Sequence, residues 1–161
     1  MSTIYYLDTS ALVKLYHQET GTEQVEELFA HADNSLIVSD LAAVELDSTV
    51  ARKVRTSEIS QEAYAEILKN FDDDCKRRFI VTPLNASTTQ KAKELLRKYA
   101  TTKALRALDA LHLAACAISQ IEGGLIFVCS DRRLLEVAAL EGHEVFNPES
   151  PPLAARGESR E

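Results

Sequence analysis

Short apolar runs of strand length alternate with longer helical segments along this chain. Strands are predicted at residues 3–8, 35–39, 79–82, 125–130 and 144–146, and helices at residues 10–17, 22–32, 40–56, 61–77, 87–99, 105–120 and 132–141. This order predicts an α/β fold, in which a parallel sheet carries helices on both faces. The two consecutive helices between the second and third strands depart from simple alternation.

The composition of the chain is that of an ordinary globular domain. With 161 residues, 45% of them hydrophobic and 27% charged, it can form one domain with a full core. We expect this domain to span residues 1–147, followed by a disordered polar tail at residues 148–161. No apolar run is long enough to cross a membrane, no signal peptide is evident, and the cysteines lack zinc-ligand spacing. These features predict a reduced, cytoplasmic protein.

Four acidic residues lie in segments that are otherwise apolar. Asp8 ends the first predicted strand and Asp131 follows the fourth, while Glu45 lies in the third predicted helix and Asp109 interrupts the most apolar one. An ionised carboxylate is expensive to bury alone, so each acid needs a partner. The carboxyl ends of neighbouring strands line the ligand crevice of an open α/β sheet, which predicts that Asp8 and Asp131 lie there.

Three aspartates have an alternative role as helix caps. Asp8, Asp40 and Asp131 each follow a predicted strand and precede a helix, where Asp is a preferred N-cap. Capping is a sufficient explanation for Asp40. Because it could also satisfy Asp8 or Asp131 without any function, the case for a site depends on the two acids inside helices.

Those two acids also have possible partners on their own helices. Arg52 lies two helical turns beyond Glu45, and Arg106 lies three residues before Asp109, so each Arg could pair with the acid on its helix. If the four acids instead converge, two carboxylates about 4 Å apart repel by roughly 4 kcal/mol at an effective dielectric constant near 20. A shared divalent cation would remove this repulsion, and oxygen ligands alone suit Mg²⁺ or Mn²⁺.

Four segments in this order and spacing resemble the PIN domain family. They are LDTSALVK at residues 7–14, Glu45 in an early helix, LDALHLAA at residues 108–115 and CSDRRLL at residues 129–135. The resemblance covers about residues 3–148 and is greatest to the VapC-type toxins of prokaryotic toxin–antitoxin pairs. It implies a three-layer α/β/α fold around a central, mostly parallel sheet of about five strands.

The resemblance also implies a function, that of a Mg²⁺- or Mn²⁺-dependent endoribonuclease. The implied metal ligands and catalytic residues are Asp8, Glu45, Asp109 and Asp131. The family often has Thr two positions before the last Asp, where this chain has Cys129, so Ser10 or Ser130 is the alternative source of a hydroxyl. The net charge of −7 argues against a protein that coats nucleic acid, but it does not exclude a nuclease with an acidic metal site.

A toxin of this type implies RNA as substrate, a small cognate antitoxin and, by family resemblance, a homodimer. We expect a basic segment of the antitoxin to pair with Asp8 and Asp109 and to compete with Mg²⁺. The candidates for phosphate binding are Lys14, Arg52, Arg106 and Arg132. Salt bridges between these cations and the four acids are an equally good interpretation.

Two other functions are compatible with the sequence. One is a housekeeping RNA-processing nuclease of the same fold, which would have no antitoxin. The other is a non-catalytic domain whose acidic cleft binds a basic peptide. Other chemistries fit less well, because the glycines form no phosphate-binding loop and no Ser occupies a nucleophile elbow. A haloacid-dehalogenase type of enzyme would need a second Asp where Ser10 stands.

Overall fold

The computed structural model describes residues 3–119 and 124–150 of the protein. Within these residues the strands are β1 (Ile4–Leu7), β2 (Ser35–Ser39), β3 (Phe79–Thr82), β4 (Ile126–Val128) and β5 (Glu144–Phe146). The α-helices are α1 (Thr9–Leu12), α2 (Thr22–Ala30), α3 (Asp40–Arg55), α4 (Gln61–Arg77), α5 (Ala86–Lys103), α6 (Ala107–Ile118) and α7 (Arg132–Leu140). A 3-10 turn at Val13–Leu15 follows α1, so the predicted helix at residues 10–17 is shorter and irregular.

All five strands pair in parallel in one sheet, in the order β3-β2-β1-β4-β5. The chain adds β2 and β3 on one side of β1 and then crosses over to add β4 and β5 on the other side. The strand order therefore reverses at β1, and in open α/β sheets ligands bind at the carboxyl ends of the strands beside such a point. The predicted α/β fold with a parallel sheet of about five strands is confirmed.

Helices bury both faces of the sheet. Side chains point to alternate faces along each strand, so neighbouring strand residues belong to different cores. Tyr6, Ile37 and Phe127 belong to the core beneath α5, α6 and α7. Their neighbours Leu7 and Leu36 belong to the core beneath α1, α2, α3 and α4. The molecule thus has the three predicted layers, with the two helices between β2 and β3 on the same face.

The junction between α5 and α6 differs from its prediction. Helix α5 continues to Lys103, four residues beyond its predicted end, and Ala104 then adopts a left-handed conformation with φ of 53°. Arg106 has an extended backbone and precedes α6, which begins at Ala107 rather than at residue 105. The predicted end of this helix at Gln120 lies outside the described residues. As a result, Arg106 lies at the amino end of α6, beside Asp109 in the first turn of this helix.

Ser39, and not Asp40, is the N-cap of α3. The Ser39 hydroxyl accepts a hydrogen bond from the backbone N–H of Ala42 at 3.2 Å, and Asp40 is the first residue of the helix. The prediction that Asp40 caps this helix is therefore wrong, because the helix begins at Asp40 directly after the strand, so the last strand residue is the cap.

The residues that follow β5 lie against the domain as far as the structure describes them. Pro148 packs so closely on Gly21 that a Cβ added to Gly21 would come within 2.8 Å of the Pro148 backbone. Glu149 pairs with Lys14. Residues 148–150, which were predicted to begin the tail, therefore have contacts with the domain, while residues 151–161 lie outside the described part of the chain. Of the helices in the described residues, none has the length and apolarity needed to cross a membrane.

Candidate active site

Asp8 lies directly after β1, buried at the carboxyl edge of the sheet with 6% of its surface exposed. As predicted, it caps a helix: its Oδ1 atom accepts hydrogen bonds from the backbone N–H of Ala11 at 3.0 Å and from Ser10 Oγ at 2.6 Å. Burial raises the pKa of Asp8, although nearby His112 and these hydrogen bonds oppose the rise. Ser10 is thus the residue that brings a hydroxyl to this acid, and a nearby cation would favour its charged form.

Glu45 points from α3 towards α6, where it meets a buried histidine. Its Oε2 atom is 2.7 Å from His112 Nε2 and also accepts a hydrogen bond from Thr9 Oγ1. Burial alone would raise the pKa of Glu45, but the hydrogen bonds from His112 and Thr9 outweigh it and lower this pKa. The alternative salt bridge to Arg52 is not among the ion pairs of residues 3–119 and 124–150.

Arg106 connects the other two acids. Its Nε atom donates to Asp109 Oδ2 at 2.9 Å, and its Nη2 atom lies 3.5 Å from Asp131 Oδ2. The opposite oxygen of Asp131 caps α7 by accepting from the backbone N–H of Arg133 at 2.9 Å. The predicted alternative of an Arg106–Asp109 pair is therefore present, but the Arg106 side chain is 74% exposed, so the pair is not buried.

Two clefts open beside these acids. The larger, of about 470 Å³, is lined by residues that include Glu45, Leu108 and Ser130. The smaller, of about 280 Å³, is lined by residues that include Asp109 and Asp131. Because Leu108 and Asp109 are consecutive, as are Ser130 and Asp131, the two clefts adjoin at these positions.

Each of the four acids has a hydrogen-bond or ion-pair partner among other side chains of the protein. In the part of the chain that the structure describes, no three His, Cys, Asp or Glu side chains come together closely enough to hold a metal ion. Arg106 holds Asp109 and Asp131, and His112 holds Glu45. The structure therefore brings the four acids to one edge of the sheet, in separate pairings around two adjoining clefts.

Comparison with known proteins identifies the family. The family model for the PIN domain matches residues 5–140. The chain belongs to the PIN domain family. Ribonuclease VapC45 of Mycobacterium tuberculosis is 32% identical to it over 149 residues, which cover 92% of this chain and 99% of that protein.

Solved structures share the fold of this PIN domain. The VapC20 toxin of Mycobacterium tuberculosis, which cleaves the sarcin–ricin loop, aligns with a TM-score of 0.65 at 15% identity, covering 92% of this chain and 99% of that one. The VapBC2 complex of Rickettsia felis, bound to a DNA fragment from its promoter, aligns with a TM-score of 0.62 at 18% identity, covering 90% and 98%.

The atoms around the clefts of this PIN domain that could act as metal ligands suit a hard divalent cation. They are carboxylate and hydroxyl oxygens, which Mg²⁺ and Mn²⁺ prefer. Ser130 Oγ is the one buried side-chain polar atom without a hydrogen-bond partner among the described residues, and it lies next to Asp131. The guanidinium of Arg106 already places positive charge between Asp109 and Asp131. The residues therefore fit such an ion chemically, provided that Arg106 releases these two acids.

The four predicted phosphate-binding cations occupy different positions in the PIN domain. Lys14 and Arg52 line the larger cleft, and Arg106 lines the smaller one. Lys14 is 2% exposed and pairs with Glu149 Oε1 at 2.9 Å and with Glu19 Oε2 at 3.4 Å. Arg132 lies exposed at the start of α7, with its Nη2 atom 3.5 Å from the Ser150 hydroxyl. Three of the four thus reach a cleft, and Lys14 pairs with acids other than the four of the site.

The sequence interpretation assigned no role to Thr9 or His112, which both contact Glu45. The signal was present for His112, because it is a polar residue within the buried stretch of α6, and buried polar groups need hydrogen-bond partners. Thr9 carried no such signal, since a Thr after an N-cap Asp is ordinary at the start of a helix.

Proposed function

We propose that this PIN domain is a Mg²⁺- or Mn²⁺-dependent endoribonuclease that hydrolyses RNA phosphodiester bonds, and that it is the toxin of a type II toxin–antitoxin system. The observation that carries the proposal is the set of four acids at the carboxyl edge of the sheet, two of which share one guanidinium. The similarity to Ribonuclease VapC45 over 92% of the chain supports the ribonuclease assignment.

Each acid has a proposed place in the metal site. Asp8 and Asp109 would hold the principal ion, while Glu45 and Asp131 would complete a second site or orient water. When bound, such an ion lowers the pKa of a water molecule and neutralises charge that develops on the phosphate. Ser10 holds Asp8 in position through its 2.6 Å hydrogen bond, so the direction of this carboxylate does not depend on the ion alone.

The cations of the chain would position the RNA backbone. Lys14 and Arg52 line the larger cleft beside Glu45. Both would contact phosphates there, Lys14 once it leaves Glu149 and Glu19. Arg106 would be free for a phosphate once it leaves Asp109 and Asp131. These local cations make an RNA substrate compatible with the net charge of −7.

The proposed antitoxin would present an Arg or Lys to acids of the proposed metal site, Asp8 and Asp109. The contacts of Arg106 with Asp109 and Asp131 support this idea, because they show that a guanidinium fits between two of the proposed ligands. The VapBC2 complex, which shares this fold, contains a partner protein of its toxin. A homodimer and a cytoplasmic location remain predictions.

The test is cleavage of defined RNAs by the purified protein with Mg²⁺ and with chelator. We expect cleavage that chelator removes and that Asp109→Asn abolishes, while Asp33→Asn, an exposed Asp before β2, serves as the matched control. Cleavage by Asp109→Asn at the parent rate, or cleavage indifferent to chelator, would contradict the proposal. Adding a co-purified antitoxin with its basic residue intact or changed to Ala then tests whether inhibition weakens as Mg²⁺ rises.

A further inference from the structure

A buried chain of hydrogen bonds leads from the core to Glu45. Tyr6 of β1 is 0% exposed, and its Oη atom is 3.2 Å from His112 Nδ1. His112 of α6 is 2% exposed, and its Nε2 atom is 2.7 Å from Glu45 Oε2. These three residues come from β1, α6 and α3, so the hydrogen bonds connect three elements that contribute to the site.

The direction of each hydrogen bond follows from the chemistry of its partners. An ionised carboxylate can only accept, so the imidazole must carry its proton on Nε2 and donate it to Glu45. In the neutral ring Nδ1 is then an acceptor, which receives the Tyr6 hydroxyl proton. The tautomer of His112 is therefore set from both sides.

The surroundings of His112 leave it little freedom to rotate. Its ring meets the Tyr6 ring edge-on, with centroids 6.3 Å apart, and Tyr6 in turn stacks on Phe127 at 5.7 Å. Thr9 Oγ1 adds a second donor to the same Glu45 oxygen and lies 3.1 Å from His112 Nε2. The Glu45 carboxylate, which lines the larger cleft, is thus held by His112, which is itself fixed in the core.

We propose that His112 is a positioning residue, whose Nε2–H group fixes the direction of the Glu45 carboxylate while the Tyr6 hydroxyl fixes the imidazole. The inference rests on the proposed function, because it concerns how Glu45 is presented to a divalent cation and to RNA. Groups that orient ligands in this way commonly change metal affinity or activity by about 10- to 100-fold when they are mutated. A His that merely filled the core would change stability instead.

The first experiment compares His112→Gln with His112→Leu. Gln places an N–H group near the position of Nε2, whereas Leu keeps apolar volume and removes both hydrogen bonds. We expect His112→Leu to weaken Mn²⁺ binding about 10-fold or more, as measured by titration of the metal alone, and to slow RNA cleavage by a similar factor. His112→Gln should recover most of both losses. Equal Mn²⁺ affinity of His112→Leu and the parent protein would overturn the proposal.

The second experiment is a double-mutant cycle with Glu45→Gln, which tests whether His112 acts through that acid. In the Glu45→Gln background, His112→Leu should cause little further loss of Mn²⁺ affinity. An equal loss in both backgrounds would assign a general structural role to His112 and refute positioning. Tyr6→Phe removes only the hydroxyl, so it should cause a smaller loss of Mn²⁺ affinity than His112→Leu. It also serves as the test if His112→Leu does not fold. In that case, parent-like Mn²⁺ affinity of a folded Tyr6→Phe would contradict the proposal.

Failure of this inference is distinguishable from failure of the proposed function. If the parent protein neither binds Mn²⁺ nor cleaves RNA, both the function and the inference are wrong. If Glu45→Gln reduces cleavage while His112→Leu leaves cleavage and Mn²⁺ affinity at the parent values, only the positioning role is wrong.

Discussion

The guanidinium of Arg106 donates from Nε to Asp109 Oδ2 at 2.9 Å, at the mouth of the smaller cleft. The same group lies 3.5 Å from Asp131, so one exposed cation partners two proposed metal ligands. Because the Arg106 side chain is 74% exposed, each contact should contribute only about 0.2–1 kcal/mol. Such a weak partner can be exchanged for a divalent ion or for a cation of an antitoxin.

Replacing Arg106 should strengthen metal binding. Arg106→Gln removes the competing charge, so the affinity for Mn²⁺ should rise about two- to fivefold, in line with the small energy of an exposed pair. Titration of the metal measures the change, and Arg132→Gln, another exposed Arg beside the site, is the matched control. Equal affinities of the two variants would show that Arg106 does not compete. If RNA cleavage falls while Mn²⁺ affinity rises, Arg106 also contacts a phosphate.

A bound divalent ion should stabilise the folded protein. At ten times its Kd, Mg²⁺ adds about 1.4 kcal/mol, which raises the melting temperature by roughly 2–6 °C for a domain of this size. Mn²⁺ should do at least as well. Asp8→Asn should remove the effect and, because it eliminates a buried charge, should make the metal-free protein more stable than the parent. Melting curves that respond to neither ion would favour the peptide-binding alternative.

A pH dependence of stability is expected from Glu141, far from the site. It follows α7 and accepts hydrogen bonds from Lys98 Nζ at 2.6 Å and Tyr99 Oη on α5. Burial would raise the pKa of Glu141, but these bonds outweigh it and lower the pKa below the ordinary value of 4.5. The folded state therefore binds fewer protons, so the stabilisation is present above about pH 4.5 and is lost as the pH falls through the folded pKa.

Glu141→Gln should accordingly cost about 1 kcal/mol of unfolding free energy at neutral pH. The difference from the parent should shrink as the pH falls below about 4.5, which denaturant titrations across a pH series would measure. Glu26→Gln, which changes an exposed Glu on α2, should show no such difference. A cost that stays constant with pH would mean that the ionised form of Glu141 is not what stabilises the contact between α5 and α7.

Much of the fold could be predicted because the local signals were consistent. The strands at residues 35–39, 79–82 and 144–146 have their predicted bounds, since each is a short apolar run between helical or turn segments. The position of Asp8 and Asp131 at strand ends followed from the same pattern, because the carboxyl ends of parallel strands share one edge. Local sequence therefore determined which edge of the sheet carries acids.

The partners of those acids could not be predicted in the same way. Glu45 and His112 are 67 residues apart, and their contact depends on how α3 and α6 are rotated against the sheet. The position of Arg106 depends on the left-handed conformation of Ala104. Alanine does not favour this conformation, so the sequence gives no signal for it. Side-chain pairing across elements is a property of packing, so a pattern along one segment does not specify it.

Glu149 pairs with Lys14 in the larger cleft. The Glu149 carboxylate binds the Lys14 ammonium group, which an RNA phosphate would otherwise bind. The other partner of Lys14 is Glu19, at the longer distance of 3.4 Å. Glu149→Gln should therefore lower the Kd for RNA about two- to fivefold and steepen the dependence of log K on salt by roughly one phosphate contact.

Binding is best measured in the Asp109→Asn background, so that cleavage does not deplete the RNA. Glu144→Gln makes the same change of net charge at an exposed position of β5 and controls for long-range electrostatics. Adding Lys14→Ala to Glu149→Gln should abolish the gain, because the gain requires the released ammonium group. If Glu149→Gln and Glu144→Gln bind RNA equally well across the salt series, Lys14 is a structural residue that holds the chain after β5 and takes no part in phosphate binding.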